Sequence, residues 1–181
     1  MSNEAEAILG AQVPVLVITG TMGSGKTTML GEASDLLTAR GMAHAAVDLD
    51  TLGMGHLAEA AWADLSYRNL ASVWRNYAAS GATRLLIAEA IEHVSELHRF
   101  REAIPGAQII VCRLTASLAT MQARVSQREP GMCRDAFVRR VADLEALLDA
   151  ASVEHFSLAT DDGRSITDVA REMLSLANWI A

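Results

Sequence analysis

With 181 residues and 51% hydrophobic content, the chain can bury about 70% of its unfolded surface around one core, and no disulfide or metal staple is needed. A formal net charge of −7 with no basic tract argues against nucleic-acid partners, which leave a basic footprint. Residues 1–12 hold no cationic segment leading an apolar one, no apolar run approaches the ~20 residues of a membrane span, and Cys112 and Cys133 match no metal spacing. The expectation is a reduced, cytoplasmic protein with neither nucleic acid nor membrane as partner.

In chain order, a β-branched apolar run over 13–19 ends at Gly20. Gly20, Gly25, Lys26 and Thr27 then fall at the spacing G-x-x-x-x-G-K-[ST], the phosphate-binding loop or Walker A motif. Met29, Leu30, Ala33, Leu36 and Leu37 follow at helical spacing, so a helix over 28–40 completes the strand, loop, helix context that the motif requires. Phosphate oxygens need several donors converging from one side. Glycines let successive backbone N–H groups face inward without a Cβ in the way, and the helix start adds unpaired N–H groups and partial positive charge. The cradle is therefore assigned to Gly20, Thr21, Met22, Gly23, Ser24, Gly25, Lys26, Thr27 and Thr28. Lys26 reaches the β- and γ-phosphates, and the Thr27 hydroxyl ligates Mg²⁺. Lys26 is the only lysine among fifteen basic residues, a compact ammonium kept where point-charge phosphate binding needs one.

The rest alternates regularly. A second strand is predicted over 43–49, a Gly-bearing loop over 50–55, and a long helix over 57–80 with Leu70, Val73, Trp74 and Tyr77 on its apolar face. A third strand spans 83–89, a helix 94–103 and a fourth strand 108–114. A helix over 116–128 carries Leu118, Met121 and Val125. After the Glu129-Pro130-Gly131 break, a helix over 135–150 carries Phe137, Val141, Leu144 and Leu148. A fifth strand over 153–158, a turn at 161–163 and a helix over 166–180 close the chain. Five strands alternating with helices define an α/β protein, a parallel sheet covered on both faces, and 1–181 reads as one domain.

The early Walker A loop, the strand ending in Asp48-Leu49-Asp50, the arginines around a late Pro-Gly break and the final strand-turn-helix resemble the small-molecule P-loop kinases. That group includes shikimate, gluconate and adenylylsulfate kinases and chloramphenicol phosphotransferase. The resemblance covers nearly the whole chain in element order and singles out no one member. It implies sheet order 2-3-1-4-5, an acceptor-side segment over about 50–80, a lid over about 124–140, and ATP with Mg²⁺ as cofactors, the base packing near 159–163. The activity implied is transfer of the γ-phosphoryl to a small-molecule acceptor. A nucleotide-binding switch acting on a partner protein, with slow or absent hydrolysis, is the alternative. Nothing in the sequence sets the oligomeric state.

Several candidate residues extend the site. Asp48 and Asp50 are two apart at a strand end, which sends both side chains to one face, at the carboxyl edge where parallel sheets bind ligands. By the resemblance, Asp50 faces the acceptor as base and Asp48 lies nearer Mg²⁺, with the reverse assignment open. Arg124 and Arg128 share a helix face, and five of fourteen arginines fall between Arg124 and Arg140. Both are assigned to ATP, and Arg128 also to the transferring phosphoryl, unless the group is a solvated basic face pairing with Glu129, Asp135 and Asp143. Where a Walker B aspartate would stand after the third strand there is Ala88, followed by Glu89, which either acts on Mg²⁺ through water or satisfies backbone. Trp74 and Tyr77 fit the core; Trp62 and Tyr67 are more open to substrate. Of five histidines that share no ligand spacing, His56 alone merits a test.

Overall fold

The computed structural model describes residues 12–52 and 59–181. His56 and the Trp62 side chain lie outside what it describes. In chain order the elements are β1 (Val13–Thr19), α1 (Lys26–Thr38), β2 (Ala45–Asp48), a helical turn α2 (Leu49–Leu52), α3 (Glu59–Ala79) and β3 (Leu85–Ala88). They continue with α4 (Glu96–Ala103), β4 (Ala107–Thr115), α5 (Leu118–Arg128), α6 (Arg134–Ala151), β5 (Phe156–Ala159) and α7 (Ile166–Leu176). All strand pairs are parallel and the sheet order is β2-β3-β1-β4-β5, the order implied by the resemblance.

The apolar runs of the central strands follow from burial on both faces. Leu16 and Ile18 of β1 face a layer with Met29, Ala33 and Leu37 of α1 and Val169, Met173 and Leu174 of α7. The alternate residues Val15 and Val17 face Leu70 and Trp74 of α3 and Phe100 of α4. A third, smaller seam joins Met121 and Val125 of α5 to Val141 of α6, with Met22 of the phosphate loop packed against it. The predicted lid is thus seated on the loop it would cover. Among the described residues no helix is long and apolar enough to cross a membrane.

Three expectations are corrected. Tyr77 is 45% exposed while Trp74 is buried; a period of 3.6 carries the inward stripe from Trp74 to Ala78, which packs in the core instead. β5 begins at Phe156 because the left-handed Ser152 (φ 45) ends α6. Val153 then packs against the core ahead of the ladder, and the His155 ring accepts the Val111 N–H at 3.0 Å. α7 stops at Leu176, where the positive φ of Asn178 turns Trp179 back into the core.

Arg113 of β4 is 5% exposed. It holds α6 to the sheet through Glu145 (2.7 Å) and Asp149 (2.7 Å), with Glu154 at 3.6 Å. Removing the cation leaves the partly buried Glu145 and Glu154 carboxylates, with the exposed Asp149, without their shared partner. Arg113→Met is therefore expected to cost about 3 kcal/mol, a drop of roughly 6–12 °C in Tm for a chain of this size. Thermal unfolding followed by circular dichroism checks this; a Tm within ~2 °C of wild type would show that the carboxylates relax into solvent without the arginine.

Candidate active site

The phosphate loop runs from Gly20 to Thr27, between β1 and α1. Gly25 (φ 102) immediately precedes the first helical residue in a left-handed conformation that disfavours any side chain. Gly23 (φ 82) is confined further, since a Cβ there would lie 2.4 Å from the Met121 carbonyl oxygen of α5. The Thr21 hydroxyl, part of the cradle predicted from sequence, donates to the Val141 carbonyl of α6 at 3.3 Å. Its side chain therefore ties α6 to the loop and leaves only its backbone for phosphate. Ser24 is fully buried, its hydroxyl without a hydrogen-bond partner among the described residues.

Lys26 lies in the first turn of α1, and its ammonium donates to the Gly20 carbonyl at 2.8 Å and toward that of Thr21 at 3.5 Å. Burial lowers its pKa from the ordinary lysine value, while Asp50, Glu89 and Asp48 oppose that shift and Arg128 adds to it. The charges of three carboxyl groups, from β2, α2 and just past β3, and of an arginine of α5 thus act on this one ammonium.

Asp48 and Asp50 do reach the same site, though not by the route expected. β2 ends at Asp48, and the Thr51 hydroxyl donates to the Asp48 carbonyl at 2.7 Å as the chain enters α2. Asp50 belongs to that turn, so strand alternation does not place it. The Asp48 carboxylate accepts the Thr27 hydroxyl at 2.7 Å, bringing together the two oxygen donors assigned to the metal. Asp50 is exposed and lines a cavity of about 410 Å³ with Lys26, Thr27, Thr28, Gly25, Arg124 and Arg128. The other loop residues on this cavity are Thr21, Met22 and Gly23.

The two arginines of α5 differ in their contacts. Arg128 opens on the cavity and, among the described residues, pairs only with adjacent Glu129, at 2.8 Å. Arg124 spends its donors on protein: the Gly23 carbonyl at 3.1 Å, the Thr160 hydroxyl at 2.9 Å and the Thr160 carbonyl at 2.8 Å. Thr160, just past β5, in turn donates to the Ser24 carbonyl at 2.9 Å. Thr160 lies within the 159–163 loop that the resemblance assigns to the base, although the sequence did not single out this residue. A second cavity of about 300 Å³ lies against this strut, lined by Gly25, Thr28, Arg124, Thr160, Arg164, Ile166 and Val169. The two cavities share Gly25, Thr28 and Arg124 in their linings. Arg140 of α6 pairs with Glu92 at 2.8 Å.

Glu89 and Tyr67 are both held by local contacts. The Glu89 carboxyl accepts the Ala90 N–H at 3.1 Å, the backbone-satisfying option of the sequence reading. Tyr67 packs edge-on to Phe100 at 5.1 Å beneath Arg99, and its hydroxyl donates to Glu96 at 3.2 Å. Burial first, and Glu96 second, raise its pKa.

No protein-family profile matches the chain, and no curated protein sequence matches it. Solved structures do. The fold is similar to the tunicamycin resistance protein of Deinococcus radiodurans, 17% identical over 93% of this chain and 98% of that one, with a TM-score of 0.63. It is similar to the APS kinase of Mycobacterium tuberculosis in complex with AMPPNP and APS, 19% identical over 93% and 99%, TM-score 0.60. It is similar also to the shikimate kinase of Acinetobacter baumannii in complex with shikimate, 21% identical over 95% and 96%, TM-score 0.54. The chain therefore has the fold of the small-molecule P-loop kinases, and these likenesses span nearly its full length without matching one member.

Proposed function

We propose that this protein is an ATP-dependent phosphotransferase that moves the γ-phosphoryl group to a hydroxyl of a small-molecule acceptor. The observation that carries the reading is the convergence on one cavity of a glycine-framed loop, the Lys26 ammonium, the Thr27–Asp48 oxygen pair, Asp50 and Arg128. Bound ATP and Mg²⁺ would supply the γ-phosphoryl group and a hard cation to bridge its phosphates. The donors fit both. Lys26 would exchange the Gly20 carbonyl for phosphate oxygens. Thr27 and Asp48 offer hard oxygens to Mg²⁺, which is commonly held by one or two carboxylates together with substrate phosphates. Among the described residues no three His, Cys, Asp or Glu side chains converge as a metal cage of their own. The cavity beyond Arg124 suits the base in size and position. Asp50, free of the Thr27 contact that engages Asp48, is left to align an acceptor hydroxyl and take its proton. The net charge of −7 supports a small acceptor over a nucleic acid.

The test is ADP release from ATP and Mg²⁺ with a panel of hydroxyl-bearing metabolites and antibiotics. Acceptor-dependent release supports the reading. ATP binding with a hydrolysis rate that no acceptor changes would favour a nucleotide switch. Arg128→Ala is expected to slow transfer by at least ~100-fold while ATP affinity falls much less, because charge grows on the equatorial oxygens only as the phosphoryl moves. Equal losses in rate and affinity would make Arg128 a ground-state clamp.

A further inference from the structure

Two successive carbonyls of the phosphate loop are held from outside it. The Gly23 carbonyl accepts Arg124 of α5 at 3.1 Å, and the Ser24 carbonyl accepts the Thr160 hydroxyl at 2.9 Å. The sheet fixes where Thr160 stands: its N–H donates to the Thr115 carbonyl at 2.9 Å, one step beyond the last β4–β5 pair, Thr115 with Ala159. With the Thr115 carbonyl so engaged, the hydroxyl proton has its better acceptor in Ser24, at 2.9 Å against 3.3 Å for Thr115. Arg124 fixes the direction further. It donates into the Thr160 hydroxyl oxygen at 2.9 Å and to the Thr160 carbonyl at 2.8 Å. The hydroxyl proton is thereby left to be given away, and a charged donor behind a hydroxyl strengthens the bond that the hydroxyl makes in turn.

The Ser24–Gly25 peptide is trans, so its N–H points opposite to its carbonyl and away from Thr160. The preceding N–H, of Ser24, is taken by the Thr21 carbonyl at 3.2 Å, whereas the Gly25 N–H has no acceptor among the described residues. Gly25 lines the same cavity as Lys26 and Thr27. A hydrogen bond accepted by a peptide carbonyl polarises the N–H of that peptide, which makes it a stronger donor. We infer that Thr160 is a positioning residue of the phosphate site: by holding the Ser24 carbonyl, it aims and polarises the Gly25 N–H toward a phosphate oxygen of the nucleotide. The inference rests on one part of the phosphotransferase reading, that the loop binds phosphate.

Calorimetric titration of the full chain with inorganic tripolyphosphate and with ATP separates this role from contact with the base, since Thr160 also lines the second cavity. Thr160→Val removes the hydroxyl at nearly constant volume and should weaken both ligands alike, by about fivefold, the effect of one net hydrogen bond. Thr160→Ser restores the hydroxyl and should bring both to within about twofold of wild type. In amide NMR spectra of the ligand-free protein the Gly25 nitrogen should move upfield in Thr160→Val and return in Thr160→Ser, a change that a general loss of stability does not produce. Should the valine variant not fold, Thr160→Ala read against Thr160→Ser decides the same question. Tripolyphosphate affinity within about twofold of wild type in Thr160→Val overturns the inference, and assigns Thr160 to the base if ATP alone is weakened. A serine variant as weak as the valine one overturns it too, because the hydroxyl would then not be the group that matters. Wild type that binds neither ligand removes this inference and the phosphotransferase reading together. Wild type that binds both with the expected pattern, yet transfers to no acceptor, removes the phosphotransferase reading alone.

Discussion

Lys26→Ala is expected to reduce phosphoryl transfer by at least ~100-fold and to weaken ATP binding, while the nucleotide-free protein melts at or above the wild-type temperature. The second half of this result is the less obvious one. Burial is the largest influence on Lys26 and lowers its pKa, so the empty folded state holds this proton less well than the unfolded chain does. The resulting destabilisation is fully present below the lowered folded pKa. It fades as pH rises toward the ordinary lysine value, because folding then no longer requires a desolvated ammonium. Alanine removes that term at neutral pH, at the loss of one hydrogen bond to Gly20. Wild type, in contrast, should gain about 2.7 kcal/mol from ATP at a hundred times its Kd, and the variant should gain little. Scanning fluorimetry with and without ATP, beside an ADP-release assay, measures both. Near-normal turnover by the variant would remove Lys26 from the site, and a Tm several degrees lower would mean that its carbonyl contacts support the empty loop.

The readable parts of this molecule are those where a residue type is dictated by backbone geometry nearby. The glycine-lysine spacing after a β-branched run specifies a loop that other residues cannot form, and Gly25 at φ 102 bears that out locally. The parallel sheet was legible because strands buried on both faces stay apolar without alternation. Asp50 shows the limit of the same logic: period-2 reasoning needs the strand to continue, and here it stops at Asp48 and turns helical. Arg124 and Arg128 share a helix face, yet only the fold brings Thr160 to the first and leaves the second open on the cavity. The Arg113 cluster was invisible for a related reason, since its carboxylates come from α6 and the segment before β5.

Asp50→Asn is expected to slow transfer to the acceptor by ~100-fold or more with ATP affinity close to wild type. Asparagine keeps the shape and one carbonyl oxygen of the side chain but cannot accept a proton from the attacked hydroxyl. Asp50 is exposed and lines the phosphate cavity, so the exchange leaves no buried group unpaired and the fold should be unaffected. The paired control is Asp48→Asn. Its carboxylate is bonded to the Thr27 hydroxyl at 2.7 Å, the position assigned to Mg²⁺, so its loss should appear as a raised Mg²⁺ requirement that added metal partly restores. Excess Mg²⁺ should do nothing for Asp50→Asn, because the missing function there is proton acceptance. The swapped pattern, with Mg²⁺ rescuing Asp50→Asn and leaving Asp48→Asn inactive, would reverse the two roles. An unchanged transfer rate in Asp50→Asn would leave the acceptor side without an identified base and shift weight to the nucleotide-switch reading.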